Sequence, residues 1–375
     1  MDGSLGTALL QDLGPDWVQW FLFLLALFVF QIFGVKIQSW MYLSDIARAL
    51  DRLWNLNQSA SKMFVEEASK YGKPKEEVDR ILNRYRGFGI IEPVYLDPVG
   101  AVRKLEHLLN TAKDRFNSIV WEIAPKAQEH VHSNLKDMLL SCLMLDYIYR
   151  VVRHYFIMGR KTQNFYYILQ IQMALPEIMR VARAYYTSVD AFRRGAPIGD
   201  GLGPLVIARF VSGYGLNMEG EEIAENISLY KVAYEGRNLL LVKAKGPGGE
   251  VGKPGEAIKR LIEMRSGDIS RIIMVDAGSK LEGEPTAEIS EYVGVAIGDP
   301  GPEKYKIEEA ATKYGIPTDS IVVKMDPFDA IAIMKKEISL AADAVVDRIK
   351  SIIKERTHRG DTVIIAGIGN SMGIR

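Results

Sequence analysis

The pattern of hydrophobic and polar residues begins with a stretch that is apolar on every side. Residues 17–35, WVQWFLFLLALFVFQIFGV, contain no charged side chain. A helix needs about 20 apolar residues to cross the hydrocarbon core of a bilayer, so this stretch is just long enough. Trp17 and Trp20 at one end, with Trp40 and Tyr42 beyond the other, resemble the aromatic belts of membrane helices. The pattern predicts a single transmembrane helix, with a buried hairpin helix as the alternative.

The charges around this stretch predict its orientation. The preceding residues are acidic, and they lack the basic start and small-residue cleavage site of a signal peptide. Lys36, Arg48 and Arg52 follow the stretch closely. Because positive charge is enriched on the cytoplasmic side, we expect a cell-membrane protein with its N-terminus outside and its bulk in the cytoplasm.

The next part of the chain has a helical period. Leu43, Ile46, Leu50 and Leu53 share one helix face and continue the apolar helix beyond the bilayer. A second apolar run, MLLSCLMLDYIYRVVRHYFIM, contains charged residues that would be costly in lipid, so it predicts a core helix. Short breaks between the helices favour an antiparallel bundle.

The pattern changes again after the glycine- and proline-rich stretch GAPIGDGLGPL. The runs NLLLVKA, RIIMVDA, YVGVAI, SIVVKM and TVIIAGI are almost wholly apolar and alternate with helical segments, which is typical of buried parallel strands. The fold class predicted for the whole chain is α+β, with a C-terminal α/β domain built on a mostly parallel sheet. The predicted parts are an extracytoplasmic tail (1–16), a transmembrane anchor (17–38), a helical domain (39–195) and a glycine-rich α/β domain (196–375).

Composition narrows the possible functions. The net charge is zero, so no general affinity for nucleic acid is expected. The single cysteine, Cys142, excludes an intramolecular disulfide and a cysteine-built metal site. Residues 126–194 contain ten Lys and Arg against five Asp and Glu, whereas residues 246–345 contain twelve against eighteen. Opposite charges on two segments suit docking between domains or subunits, and we expect a homo-oligomer.

Candidate chemistry lies where the predicted strands end. Ligands of open α/β sheets bind at the carboxyl ends of the strands, and glycine lets backbone amides point at an anion there. No stretch fits the P-loop, since the GK of GPGGEVGKPG is followed by proline. The candidate residues for binding a nucleotide or another anion are Gly246, Gly248, Gly249, Lys253, Lys280, Gly298, Gly301, Gly367, Gly369, Asn370 and Ser371.

Carboxylates follow the same strands. Mg²⁺ favours one or two carboxylates together with phosphate oxygens of a substrate. Asp276, Glu282 and Glu284 are the candidate ligands for Mg²⁺. In the alternative interpretation, the glycines and prolines only form tight turns and the carboxylates are solvated. No catalytic residue is identified, and whether the protein is an enzyme stays open.

The C-terminal stretch GIGNSMGIR follows a strand without a helix behind it. It therefore lacks the helix N-terminus that usually holds a phosphate in such loops. We expect it to complete a site built by the other loops, in its own subunit or in a neighbouring one. A frayed end is the alternative.

The motifs VDAGSKLEGE, IEEAATKYGIP, GKPGEAI and AGIGNSMGI resemble an uncharacterised archaeal family of membrane-anchored proteins that is known only as a domain of unknown function. The resemblance covers most of the chain. It implies an archaeal source and a one-span anchor, and it carries no catalytic residues to this sequence.

Together these observations predict a membrane-anchored cytoplasmic oligomer. Its α/β domain is expected to bind a nucleotide or a phosphorylated small molecule, with Mg²⁺ as a possible cofactor. The alternative is a structural membrane scaffold, a ring or cage with no small-molecule site. A sensor that binds a ligand without turnover is a third class.

Overall fold

The computed structural model describes residues 16–89, 91, 98–215, 220–298 and 301–375. Ten helices and seven strands lie in these ranges. The helices are α1 (Asp16–Ala68), α2 (Lys75–Tyr85), α3 (Pro98–Ile123), α4 (Glu129–Thr162), α5 (Phe165–Arg194), α6 (Leu202–Ser212), α7 (Pro254–Met264), α8 (Pro302–Tyr314), α9 (Pro327–Ile331) and α10 (Lys336–Arg356). The strands are β1 (Glu221–Ala224), β2 (Ile227–Tyr234), β3 (Arg237–Ala244), β4 (Arg271–Ser279), β5 (Ile289–Val293), β6 (Thr318–Met325) and β7 (Thr362–Gly367).

The chain forms two compact units. One contains the described residues up to Asn55 together with Ile148–Met179, and the other contains Leu56–Tyr147 and Arg180–Arg375. This grouping places much of the helical part of the chain with the sheet.

The first unit consists of α1 up to Asn55 and the helical hairpin formed by the end of α4 and the start of α5. The rings of Trp54 and Tyr149 lie 5.2 Å apart, and those of Tyr42 and Phe165 lie 6.2 Å apart. These two contacts make α4 antiparallel and α5 parallel to α1. The predicted helix face is confirmed, since Ile46, along with Leu50 and Leu53, is buried.

The N-terminal half of α1 is the stretch for which the sequence predicts a membrane anchor. Among the described residues, no single helix has the length and hydropathy of a membrane span. The segments Trp17–Val29 and Phe33–Tyr71, the second of which runs three residues past the end of α1, have this length and hydropathy only when taken together, and they are bent by 43°. Many large side chains of this stretch are exposed, including Trp17, Phe21 and Phe28.

The second unit is built on one seven-stranded sheet in the order β1-β2-β3-β7-β4-β6-β5. Strands β3, β7, β4 and β6 are parallel neighbours, while the pairs β1–β2, β2–β3 and β5–β6 are antiparallel. The prediction of a mostly parallel sheet is therefore wrong, because the sheet is mixed. The physical reason is local: Glu235 and Gly236, both with positive φ, form a two-residue hairpin turn that no parallel connection allows.

Helices cover both faces of the sheet. Helices α6 and α10 pack on the face that presents Ile273 and Val275 of β4. Helices α7 and α8 pack on the opposite face, which presents Ile272 and Met274. Both α7 and α8 begin with a proline, Pro254 and Pro302, whose fixed φ suits the first position of a helix. This arrangement leaves the carboxyl ends of four parallel strands along one edge, where a ligand is expected.

Candidate functional site

The carboxyl ends of β3 and β7 are filled by the residues that follow β7. The side chain of Ser371 is fully buried. Its hydroxyl oxygen lies 2.9–3.0 Å from the carbonyl oxygens of Lys245, Gly248 and Glu250, and its amide donates to the Glu250 carbonyl at 2.9 Å. The loop after β3 therefore holds the loop after β7, and the alternative of a frayed end is wrong.

Two half-buried acids hold the neighbouring residue, Asn370. Its amide donates to Asp200 at 2.9 Å, and its side-chain nitrogen donates to Asp137 of α4 at 3.3 Å. Its side-chain oxygen accepts the amide of Met372 at 2.9 Å. Burial raises the pKa of Asp137 to about 7 and raises the pKa of Asp200 as well. Sequence reasoning missed both acids, because nothing in their local patterns connects them to the C-terminal loop.

The glycines of this half of the edge are explained by close backbone approach. A side chain at Gly246 would overlap the carbonyl of Ile374, and one at Gly369 would overlap that of Asp200. A side chain at Gly367 would overlap the backbone of Gly203, where α6 begins. The loop of Gly248 and Gly249 packs against α4, where Asn134 accepts the amide of Gly249 at 3.0 Å. These glycines are used for packing inside the protein.

Two lysines near this half of the edge differ in their surroundings. Lys253 forms an ion pair with Glu225 at 2.9 Å, and Lys113 pairs with the same carboxylate at 2.6 Å. These two hydrogen-bonded lysines lower the pKa of Glu225 to about 2. Lys243 of β3 is 2 % exposed, donates to the carbonyl of Ala244 at 3.2 Å, and pairs with no carboxylate among the described residues. Burial lowers the pKa of Lys243 to about 8.

The other half of the edge, at β4 and β6, has a different construction. After β4 the chain passes over the end of β6, where the amide of Lys280 donates to Met325 at 3.0 Å and that of Ala287 donates to Lys324 at 2.8 Å. We call residues 280–288 the crossing loop. A cleft lies on each side of it.

The larger cleft, of about 500 Å³, lies on the sheet face, and we call it the sheet-face cleft. Its floor is formed by β4 and β6, its side by the segment that follows β5, and its end by the first turn of α8. The residues used below are Asp276, Gly278, Tyr292, Gly294, Gly298 and Lys304.

Asp276 lies at the floor of the sheet-face cleft and is 4 % exposed. Its carboxyl group accepts the amide of Ala277 at 2.8 Å and the amide of Gly298. Burial, followed by the nearby Asp200, raises the pKa of Asp276 to about 8. At neutral pH this group is therefore largely protonated, and it can donate a hydrogen bond as well as accept one.

The side of the sheet-face cleft is open above its glycines. A side chain at Gly294 or Gly298 would meet no described atom within 4 Å. Gly301 precedes α8 without a side-chain cap on the first turn, and Lys304 lies in that turn. Within the described part of the chain, the ammonium of Lys304 pairs only with the carboxylate of Glu308, at 4.0 Å. Amides at an uncapped helix start and a nearby lysine suit an anion.

The smaller cleft, of about 370 Å³, lies on the other side of the crossing loop, and we call it the basic cleft. It is lined by four cations, Arg180, Arg183, Lys280 and Lys335, and by two carboxylates, Asp326 and Asp329. Arg180 pairs with Asp326 and Lys335 with Asp329, the latter at 2.7 Å. The ammonium of Lys280 donates to the carbonyl of Glu284 at 3.1 Å. The two arginines come from α5, far away in sequence, and sequence reasoning missed them.

The three predicted magnesium ligands have different surroundings. Glu284 binds Lys324 at 2.6 Å and accepts the amide of Leu281 at 2.7 Å. Glu282 is exposed in the crossing loop, and Asp276 lies in the sheet-face cleft. Across the described ranges, no three His, Cys, Asp or Glu side chains are grouped so that they could hold a metal ion. Magnesium binding stays a prediction that would depend on oxygens of a ligand.

Comparison with known families assigns the chain to a family of unknown function. A model for the N-terminal domain of DUF1512 matches residues 20–195, and a model for the C-terminal domain matches residues 198–375. The chain belongs to the DUF1512 family. No curated protein matches the chain. The DUF1512 assignment supports the resemblance to an uncharacterised family, while an archaeal source and a membrane anchor stay expectations.

Proposed function

We propose that the sheet-face cleft binds a nucleotide or a related phosphorylated small molecule. The observation that carries this proposal is the buried carboxyl group of Asp276, which lies at the floor of an open cleft whose side is glycine backbone. Strongly perturbed carboxyl groups in clefts are candidates for functional sites. The cleft also lies at the carboxyl ends of parallel strands, where ligands of such sheets bind.

The cleft contains a group for each part of a nucleotide. The protonated Asp276 donates to, or accepts from, a sugar hydroxyl or the edge of a base. Tyr292, which is 51 % exposed, offers an aromatic face for stacking. Lys304 and the amides of the first turn of α8 bind phosphate oxygens. Of the residues predicted from the sequence, Asp276 and Gly298 line this cleft and Gly301 immediately precedes α8.

We further propose that residues 17–38 anchor a homo-oligomer in the cell membrane, with the bulk of the chain in the cytoplasm. The exposed aromatic and aliphatic side chains of α1 support the anchor, since large exposed apolar surfaces mark interaction sites. The opposite charges of residues 126–194 and 246–345 support lateral assembly.

The binding proposal is tested by titrating the full-length, detergent-extracted protein with nucleoside mono-, di- and triphosphates, with and without Mg²⁺, using calorimetry. We expect binding by the wild type and a loss of about tenfold or more in affinity for Lys304→Ala, because a hydrogen bond to a charged group contributes about 1.5–3 kcal/mol. Lys313→Ala, in the last turn of the same helix, is the matched control and should bind like the wild type.

A second variant distinguishes recognition of the sugar or base from recognition of the phosphate. Asp276→Asn should weaken the binding of nucleotides while leaving the binding of inorganic pyrophosphate unchanged, because Asp276 lies at the floor of the cleft and Lys304 at its end. Absence of binding by the wild type to every compound in the panel would refute the proposal.

One observation favours the alternative, a structural scaffold without a small-molecule site. The C-terminal residues fill the carboxyl ends of β3 and β7, and the glycines there serve packing. Native mass spectrometry of the full chain and of a chain without its last seven residues distinguishes the two functions. A co-purified small molecule on the full chain supports the binding site, whereas an empty oligomer that truncation breaks apart supports the scaffold.

A further inference from the structure

The helical hairpin formed by the end of α4 and the start of α5 carries charge of only one sign. Between Asp146 and Glu177 the sequence contains no acidic residue, but it contains four Lys and Arg and one His. Arg160 and Lys161 are exposed at the turn of the hairpin, and Arg153 is exposed about 15 Å before it along α4. Among the residues that the structure describes, none of the three pairs with a carboxylate. Thirty residues with only positive charge are unusual in a chain of zero net charge.

The turn of this hairpin lies beside the end of the apolar stretch of α1. Phe165 stacks on Tyr42, and Gly159 lies against Leu43 and Ile168, so closely that a side chain there would overlap Ile168. Tyr42 is seven residues beyond Val35, the last residue of the uncharged stretch. At 1.5 Å per residue this separation is about 10 Å along the helix axis.

The separation of Tyr42 from the end of the uncharged stretch is comparable to the thickness of the polar layer of a membrane plus the reach of a long side chain. The headgroup region adds about 5–8 Å to each side of the hydrocarbon core. Long basic side chains reach several ångströms further, with their aliphatic parts along apolar surface. Tyr166, beside the turn, and Trp40 on α1 are both exposed, and aromatic residues of this kind favour the membrane interface.

We propose that the turn of the α4–α5 hairpin, with Arg160 and Lys161, binds the headgroups of anionic lipids. This inference rests on the proposed anchor, because the anchor brings the hairpin to the membrane surface. Anionic lipid is the occupant that the surface fits, since the patch has no negative charge and continues directly from an apolar helix. Each basic residue near an anionic surface contributes about a fivefold gain in binding.

The test uses the full chain in lipid nanodiscs with a dye at Gln163→Cys, in the turn itself. Burial raises the pKa of the native Cys142 thiol to about 12, so the dye reacts only with the introduced cysteine. The discs contain phosphatidylcholine alone or with about 30 % phosphatidylglycerol, and a nitroxide on the headgroup quenches a nearby dye.

We expect strong quenching in the anionic discs and at least about fivefold less in the neutral ones. Arg160→Glu with Lys161→Glu should abolish the difference, and the milder pair Arg160→Gln with Lys161→Gln should reduce it. Arg52→Glu with Lys62→Glu is the matched control, since both residues are exposed on α1 and lie about 15 Å or more beyond Tyr42. This control should keep the quenching.

The outcomes separate the two proposals. If the chain is recovered with neither type of disc, the anchor is refuted and this inference with it. If the chain is recovered with both but quenching does not depend on anionic lipid or on Arg160 and Lys161, the anchor stands and the inference about the hairpin is refuted.

Discussion

The two halves of the carboxyl edge of the sheet use similar residue types for different purposes. At β3 and β7, glycines let backbone segments approach closely, and Asn370 and Ser371 are held by internal hydrogen bonds. At β4 and β6, Gly294 and Gly298 border open space, and Asp276 lies under a cleft. A glycine-rich loop at a strand end therefore indicates a close approach of some kind, and only the fold tells whether the approaching group is protein or ligand.

The largest effect is expected for one of a pair of glycine substitutions that tests this comparison. Gly246→Ala places a methyl group on the carbonyl of Ile374, whereas Gly298→Ala places it in open space. We expect Gly246→Ala to lower the free energy of unfolding by on the order of 4 kcal/mol, because the clash is with a backbone carbonyl and a backbone segment must shift to relieve it. Gly298→Ala should change it little. Urea unfolding of both variants measures the difference, and equal effects would show that the two halves pack alike.

The buried carboxyl of Asp276 should make stability depend on pH. Its folded pKa, about 8, is above the unfolded value, so the stabilisation from its proton is complete below about pH 4 and is lost as the pH rises through 8. Compared with Asp276→Asn, the wild type should lose on the order of 3 kcal/mol between these limits.

Thermal unfolding at a series of pH values checks this expectation. Asp268→Asn, at an exposed position, is the control and should follow the wild type. If the Asp276→Asn profile also follows the wild type, the carboxyl is not buried as a protonated acid.

Lys243, in the other half of the edge, should make stability depend on pH in the opposite direction. Its folded pKa, about 8, is below the unfolded value, so its charge destabilises the fold at lower pH, and this cost disappears as the pH rises toward about 10.4. At pH 7, Lys243→Met should stabilise the protein by on the order of 2 kcal/mol, with a smaller gain above pH 9. Lys231→Met, an exposed position in β2, should show no such gain. Chemical unfolding at pH 7 and pH 10 measures both variants.

The smallest expected effect is in the basic cleft. Arg180 is exposed, and its ion pair with Asp326 lies at the surface. Arg180→Ala should therefore change the free energy of unfolding by at most about 1 kcal/mol. A loss comparable to that of Gly246→Ala would show that this cleft is part of the packed edge and not a solvated groove.

Much of the fold could be predicted because its signals are local. The apolar runs NLLLVKA, RIIMVDA, SIVVKM and TVIIAGI became β3, β4, β6 and β7. The antiparallel strands were missed because β1 and β2 carry many polar residues, and the run YVGVAI ends its strand early, at Val293.

The site was only partly predictable for a different reason. Asp276 and Gly298 share a cleft because β4 and the start of α8 meet in three dimensions, and their local motifs place each of them at a strand end. Asp137, Asp200, Arg180 and Arg183 come from the helical part or the boundary and have no local signal that links them to the edge. The charge of a residue is visible in a sequence, but its long-range partner is not.

The position of β7 also has a consequence for how the protein is made. This strand is the last along the sequence, yet it lies between β3 and β4, which precede it by about a hundred residues. While the chain emerges from the ribosome, the facing edges of β3 and β4 have no partner between them and expose unpaired amides and carbonyls. Such edges invite pairing with other chains. Nascent chains would then depend on timely insertion of β7, or on a chaperone, to avoid aggregation.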